Sequence, residues 1–167
     1  SEKVNIKFLD YRDLKGKYDS IASIEMIEAV GEKYLDKYFS TIKDNLKKGG
    51  IGAVQAIVIK DELFDRYRKN EDFIQKHIFP GGFLPSLQSI KNYSKNSGLQ
   101  LTDHKSYGLH YSNTLKEWRE NFIRSWNDIS KQGFDQSFKK IWDFYFSYCE
   151  AGLKSKNSDL IQFSLCN

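Results

Sequence analysis

Residues Ile51–Ile59 read IGAVQAIVI, nine positions that are apolar or small except for Gln55. A nearly continuous run of this length predicts a strand covered on both faces, as in a parallel sheet. Working upstream, Tyr34, Leu35, Tyr38, Phe39, Ile42 and Leu46 recur at helical spacing between positions 31 and 46. The Lys47-Lys48-Gly49-Gly50 that follows reads as a helix stop with cations in the last turn. Before that helix, YDSIASI at Tyr18–Ile24 predicts a strand. Val4, Ile6 and Phe8 alternate with polar residues and predict another over 4–9. Strand, strand, helix, strand is an α/β order.

Downstream the texture changes. Residues 61–77 are charged with scattered aromatics and predict helix, and Phe79-Pro80-Gly81-Gly82-Phe83-Leu84-Pro85 is a turn cluster between two helical stretches. A strand is predicted over 99–107. Leu115, Trp118, Phe122, Trp126 and Ile129 form a helix stripe, and residues 134–153 form a second helix bearing Phe138, Ile141, Trp142, Tyr145, Tyr148 and Cys149. DLIQFSL at 159–165 predicts the last strand.

The chain has 167 residues, 40% hydrophobic and 29% charged, which suits one folded domain and excludes wholesale disorder. No run of eighteen apolar residues occurs, so no transmembrane helix is expected, and the opening SEKVNIKFLD lacks the order of a signal peptide. Two cysteines, Cys149 and Cys166, cannot build a disulfide framework, and a reducing, cytoplasmic setting is expected. His77, His104 and His110 are not at ligand spacing, so no metal site is expected. The charge of +4 is a mild excess that suits an anionic partner without naming one.

Two carboxylates, Glu25 and Glu28, follow the Tyr18–Ile24 strand. In open α/β sheets ligands sit beyond the carboxyl ends of strands, where such a pair holds a cation, a proton or an activated water. The pair suits the N-terminus of a following helix equally well. An α/β nucleotide-binding domain also needs a glycine-rich turn after its first strand, and no G-x-G turn appears here. The chain is therefore expected to be the later part of a longer protein.

Asp10-Tyr11-Arg12-Asp13-Leu14, Tyr18-Asp19-Ser20-Ile21 and Glu25-Met26-Ile27-Glu28-Ala29-Val30-Gly31 together resemble the cyclopropane-fatty-acyl-phospholipid synthases, which include the mycolic acid cyclopropane synthases. The likeness continues through Phe79-Pro80-Gly81-Gly82, Leu84-Pro85-Ser86, His110-Tyr111, Thr114-Leu115, Trp118, Trp142, Tyr145-Phe146 and Tyr148-Cys149, and closes on Leu160-Ile161-Gln162-Phe163. It spans nearly the whole chain, in order. The fold it implies is α/β, a partial Rossmann-like methyltransferase sheet with the first strands and glycine-rich loop missing. Residues 1–167 are then the carboxyl-terminal part of one domain, with a helical acyl-pocket insertion at about 61–158.

The activity implied by the resemblance is transfer of a methyl or methylene group from S-adenosylmethionine to a double bond of an unsaturated phospholipid acyl chain. The expected setting is cytoplasmic, with peripheral association at a membrane surface. No nucleic-acid partner is expected, while an exposed sheet edge favours self-association. By resemblance, Asp10 and Tyr11 line the adenine pocket and the backbone around Ile24 lies beside the cofactor. Glu28, Tyr111 and the Ile57 backbone hold a bicarbonate ion. Gln55 stands where the family has a bicarbonate-binding histidine, and Ala29 replaces a histidine common in the family. A glutamine donates a hydrogen bond but does not titrate near neutrality.

Phe122, Trp126, Phe138, Trp142, Tyr145 and Tyr148 are candidates for an aromatic wall that stabilises a carbocation and excludes water. Core packing of two helices explains the same stripe. Two alternatives stay open: a non-catalytic fragment that binds lipid or a partner, and a methyltransferase acting on a different acceptor.

Overall fold

The computed structural model describes residues 3–167. Its strands are β1 (Tyr18–Ile24), β2 (Leu46–Ile59), β3 (Gln100–Ser106) and β4 (Ser158–Cys166). They form one sheet in the order β1-β2-β4-β3. β1 runs parallel to β2, whereas β4 is antiparallel to both its neighbours, so the sheet is mixed. The helices are α1 (Leu35–Asn45), α2 (Asp61–Tyr67), α3 (Phe73–His77), α4 (Leu87–Asn96), α5 (Gly108–Arg124), α6 (Trp126–Ser130) and α7 (Gln136–Lys154).

Strand alternation sorts the side chains. Gly52, Val54, Ala56 and Val58 of β2 share a face with Leu165, Phe163 and Ile161 of β4 through direct cross-strand pairing. That face carries the core, closed by Leu35, Tyr38, Phe39 and Ile42 of α1 and Ile90 of α4. The other face shows Ala53, Gln55 and Ile57 beside Ser164, Gln162 and Leu160. α5 and α7 pack on each other over part of this face, around buried Leu115, Phe146 and Leu153.

Four expectations change. β2 is not covered on both faces: Ile51 and Ala53 are exposed, and the alternation of an antiparallel neighbour replaces the pattern of a wholly parallel sheet. Lys47–Gly50 belong to β2 and not to a helix stop, because α1 closes at Asn45. They bulge out against β1, where the register jumps from Tyr18↔Leu46 to Ser20↔Ile51, and Gly49 supplies the positive φ. Residues 4–9 form no strand. Val4, Ile6 and Phe8 alternate as a strand would, but no neighbouring strand supplies hydrogen bonds, and all three are exposed. The span 61–158 holds α2 to α7 and also β3, so it is not purely helical.

β4 also aims α5. Tyr107, at the start of α5, offers no side-chain cap; instead the Asp159 carboxylate accepts from the Gly108 amide (2.8 Å) and from the Ser106 hydroxyl (2.5 Å). A carboxylate at a helix N-terminus satisfies an orphan donor and opposes the helix dipole. A Cβ at position 108 would collide with Asp159, which is why a glycine stands there. Asp159→Ala should cost about 2 kcal/mol, as for loss of a strong cap. In thermal unfolding the midpoint should drop by about 4–8 °C for a chain of this size.

Candidate active site

β1 stops at Ile24, and the next residue turns the chain. Glu25 has φ 49°, a left-handed conformation uncommon for a side-chain-bearing residue, and its amide still donates to the Gln55 carbonyl (2.9 Å). A single 3-10 turn, Ile27–Ala29, follows, anchored by fully buried Ile27. Its Glu28 carbonyl accepts from the Phe83 amide (2.8 Å), so the Phe79–Pro85 turn cluster clamps the segment.

The two carboxylates then take up different partners. The β1–β2 ladder ends at Ile24↔Gln55, which leaves the Ile57 amide facing the β1 side with no strand beside it. Glu28 Oε1 accepts from that amide at 2.6 Å. Glu28 Oε2 is buried and has no protein partner. Burial pushes the Glu28 carboxyl above its ordinary range, partly offset by the Ile57 amide. Glu25 Oε1 accepts from Gln55 Nε2 (2.7 Å), and Gln55 Oε1 accepts from Gln162 Nε2 (2.8 Å). A carboxylate is acceptor-only, so Glu25 fixes which way the Gln55 amide points. Tyr111, on the first turn of α5, donates to Glu25 Oε2 at a long 3.4 Å. Burial, then the Glu25 charge, raises the Tyr111 hydroxyl to about 12.

An aromatic track leads away from this cluster. Phe134, Phe138, Trp142 and Tyr145 of the α7 region succeed one another at centroid distances of 4.4, 5.7 and 5.3 Å. Trp118 meets Tyr111 edge-on at 5.9 Å, and Phe79 meets Tyr145 at 6.0 Å. The six aromatics singled out from the sequence do not form one wall. Phe138, Trp142 and Tyr145 lie on the track, Phe122 and Trp126 pack behind it, and Tyr148 stacks elsewhere with Phe144. Cys149 lies beside Tyr145, and burial lifts its thiol to about 12, so it is a packing residue and not a nucleophile.

On the other side of the strand end, Tyr11, Ser23, Ile24, Met26 and Tyr38 line a cavity of about 360 Å³. Tyr11 and Ile24, both assigned to the cofactor by resemblance, thus share one cavity. Asp10 is a different case. Its carboxylate is engaged by the Arg12 side chain (2.7 and 2.9 Å), which holds it at about 2. His77, His104 and His110 are exposed, and among the described residues no group of three ligating side chains converges.

Two residues had no assigned role in the sequence reading. Glu25 was visible only as half of a carboxylate pair. Gln162 shows its part once antiparallel pairing sets it opposite Gln55, a register the sequence does not print.

The donors that the resemblance gives to bicarbonate are all engaged. Gln55 Nε2 and the Tyr111 hydroxyl end on Glu25, and the Ile57 amide ends on Glu28. An added anion would face two carboxylates with two of these three donors firmly taken and the Tyr111 hydroxyl in a long contact with Glu25, which is electrostatically unfavourable. The residues present do not fit bicarbonate in this arrangement.

The fold and the strand-end cluster define an α/β domain of the methyltransferase type. A mycolic acid cyclopropane synthase complexed with SAH and CTAB superposes with a TM-score of 0.83 at 24% identity, covering 94% of this chain and 58% of that one. A cyclopropane synthase from Mycobacterium tuberculosis gives the same figures. The family model described as mycolic acid cyclopropane synthetase matches residues 1–163, and the chain belongs to that family. It is 40% identical to a tuberculostearic acid methyltransferase of Mycobacterium tuberculosis over 98% of its length. It is 34% identical to the cyclopropane-fatty-acyl-phospholipid synthase of Escherichia coli over 95%. The chain spans 38% and 40% of the length of these two relatives.

A raised Glu28 pKa means that the folded chain binds this proton more tightly than the unfolded chain does. Stability therefore falls as pH rises from the unfolded value, about 4.3, through the folded one. Glu28→Gln removes that penalty. Its thermal midpoint should exceed that of the wild type at neutral pH, and the gain should vanish below about pH 4 in a pH series of melts.

Proposed function

We propose that this chain is the carboxyl-terminal part of an S-adenosylmethionine-dependent methyltransferase acting on a double bond in an unsaturated phospholipid acyl chain. What supports this reading most is the Glu25–Glu28 pair at the end of β1, placed between the Ile24 cavity and the aromatic track in a chain of this family. The cavity beside Tyr11 and Ile24 is the place for S-adenosylmethionine, which when bound supplies a methyl group to the alkene, the S–C electron pair staying on sulfur. Asp10 contributes there only after releasing Arg12.

The chain's own residues then have distinct tasks. An alkene is a weak nucleophile, so the acyl chain must be held in a near-attack geometry, and the Phe138–Trp142–Tyr145 track does that while excluding water. Methyl transfer leaves positive charge on the lipid. Glu28 meets it with a buried carboxylate oxygen that has no other partner, and the aromatic faces add to this. Loss of a proton then neutralises the cation. Loss from the transferred methyl closes a ring, and loss from a neighbouring carbon leaves a methyl-branched chain that keeps a double bond. The identity to the tuberculostearic acid methyltransferase favours the branch as a second product.

Work at the cytosolic face of a membrane follows from a lipid acceptor. Among the described residues no helix is long and apolar enough to cross a membrane. The open edge of β1 is where the first strands of the sheet would pair in the full-length chain.

Lipid analysis of cells expressing the full-length gene tests the reading. Acyl chains carrying a ring or a methyl branch are expected, and unchanged chains alongside folded protein would turn the reading toward a binding module or another acceptor. In the full-length enzyme, Glu28→Gln and Tyr111→Phe should each lower turnover by about a hundredfold or more. S-adenosylmethionine affinity should change little, as read by single-turnover kinetics beside calorimetric titration.

A further inference from the structure

The donor set of the site is consumed by a residue to which the resemblance assigns nothing. Glu25 receives the Gln55 amide on one oxygen and the Tyr111 hydroxyl on the other. Both donors reach it from outside its own segment, from the middle of β2 and from the first turn of α5. Gln55 is in turn locked by Gln162 on β4, so a line of hydrogen bonds crosses three strands and ends on this carboxylate. The backbone at Glu25 is left-handed, which glycine would adopt freely and a glutamate adopts only under strain.

We propose that Glu25 fills, from within the chain, the place of the small oxyanion, and that its carboxylate takes the proton from the lipid cation. This rests on the methyltransferase reading above. Glu28 is the poorer candidate for the proton, since its Oε1 is tied to the Ile57 amide at 2.6 Å and its Oε2 is enclosed. Glu25 is exposed on the side of the strand end, and its Oε2 has only the 3.4 Å contact with Tyr111. In the step itself, a C–H bond of the transferred methyl breaks and its electron pair forms the C–C bond to the cationic carbon, closing the ring. For a branched product, the C–H bond of a neighbouring carbon supplies the pair for a new double bond. In either case the proton goes to Glu25 Oε2, the lipid becomes neutral, and Glu25 later gives the proton to water. A proton beside a carbocation is acidic enough for any carboxylate to take it. Gln55 and Tyr111 are positioning residues: they aim the carboxylate and support its charge.

The test uses the full-length enzyme with an unsaturated phospholipid in vesicles, in buffer stripped of carbon dioxide and again with bicarbonate added. Wild-type turnover should be the same in both. Glu25→Gly, which suits the left-handed backbone and so should fold, is expected to lose about a hundredfold or more in turnover. Formate or bicarbonate, entering the space left by the side chain, should restore part of it, while the pH profile of the rescued reaction follows the added acid. Melting temperature and S-adenosylmethionine titration verify that the variant is folded and binds its donor. A wild type that needs added bicarbonate would overturn the inference. So would a Glu25→Gly enzyme with full turnover, or a folded, donor-binding variant that neither anion rescues. If Glu25→Gly does not fold, Glu25→Gln takes its place, and wild-type turnover in that variant overturns the inference. A wild type inactive in both buffers overturns the methyltransferase reading and this inference with it.

Discussion

β2 outruns β1, and the site is the consequence. β1 spans 7 residues and β2 spans 14, so the parallel ladder ends at Ile24↔Gln55 while β2 continues to Ile59. Two amides on the β1 side are left over, those of Ile57 and Ile59. Buried amides must find acceptors. The Glu28 carboxylate serves Ile57 at 2.6 Å, and the Pro85 carbonyl serves Ile59 at 3.0 Å. These two bonds draw the turn after β1 and the loop before α4 to the same strand end. The Phe83 amide, donating to the Glu28 carbonyl, ties the two segments to each other. The candidate site is thus built by satisfying backbone groups, with the carboxylate as a side-chain substitute for a strand.

Much of this fold is legible in the sequence where the signal is local. YDSIASI and DLIQFSL map onto β1 and β4 to within a residue at the ends, and the helical spacing between positions 31 and 46 maps onto α1, which starts four residues later, at Leu35. What fails depends on partners. Val4, Ile6 and Phe8 have the alternation of a strand, yet alternation cannot supply a neighbour to bond with. Ile51–Ile59 is apolar enough for two covered faces, but pairing with an antiparallel β4 leaves its second face half open. At the strand end, Glu28 meets Ile57, and Gln55 and Tyr111 both meet Glu25. This bonding pattern does not follow the resemblance, because it turns on Glu25, whose left-handed turn and engagement with Gln55 no spacing rule announces.

The helical layer answers a different demand. α5 and α7 bury Leu115, Phe146 and Leu153 between them, and this small cluster is separate from the main core under α1 and α4. Phe146 is the aromatic that holds the pair together, packing on Phe122, Trp142 and Tyr145. That leaves Phe138, Trp142 and Tyr145 half-buried along one side, free to face something other than core. The stripe is therefore divided: Phe146 is buried between the helices, while Trp142 and Tyr145 pack against that cluster and stay half-buried. Asp159 couples this layer to the sheet, since the strand that carries Gln162 also caps the helix that carries Tyr111.

The electrostatics of the strand end suit positive charge. Neither Glu25 nor Glu28 has a basic partner in a salt bridge among the described residues. Two carboxylates held near each other, one with a buried oxygen lacking any donor, are costly in the resting protein. In the reaction proposed above, a sulfonium methyl donor and a lipid carbocation are both cations, and each would relieve that cost as it arrives or forms. Fixed carboxylates that meet the charge of that proposed reaction path would act as electrostatic preorganisation, which lowers a barrier without further movement. A second small anion would add to the strain at every stage. In the proposed step the Glu25 carboxylate is the base, the Gln55 amide and the Tyr111 hydroxyl aim it, and Glu28 stays tied to the Ile57 amide.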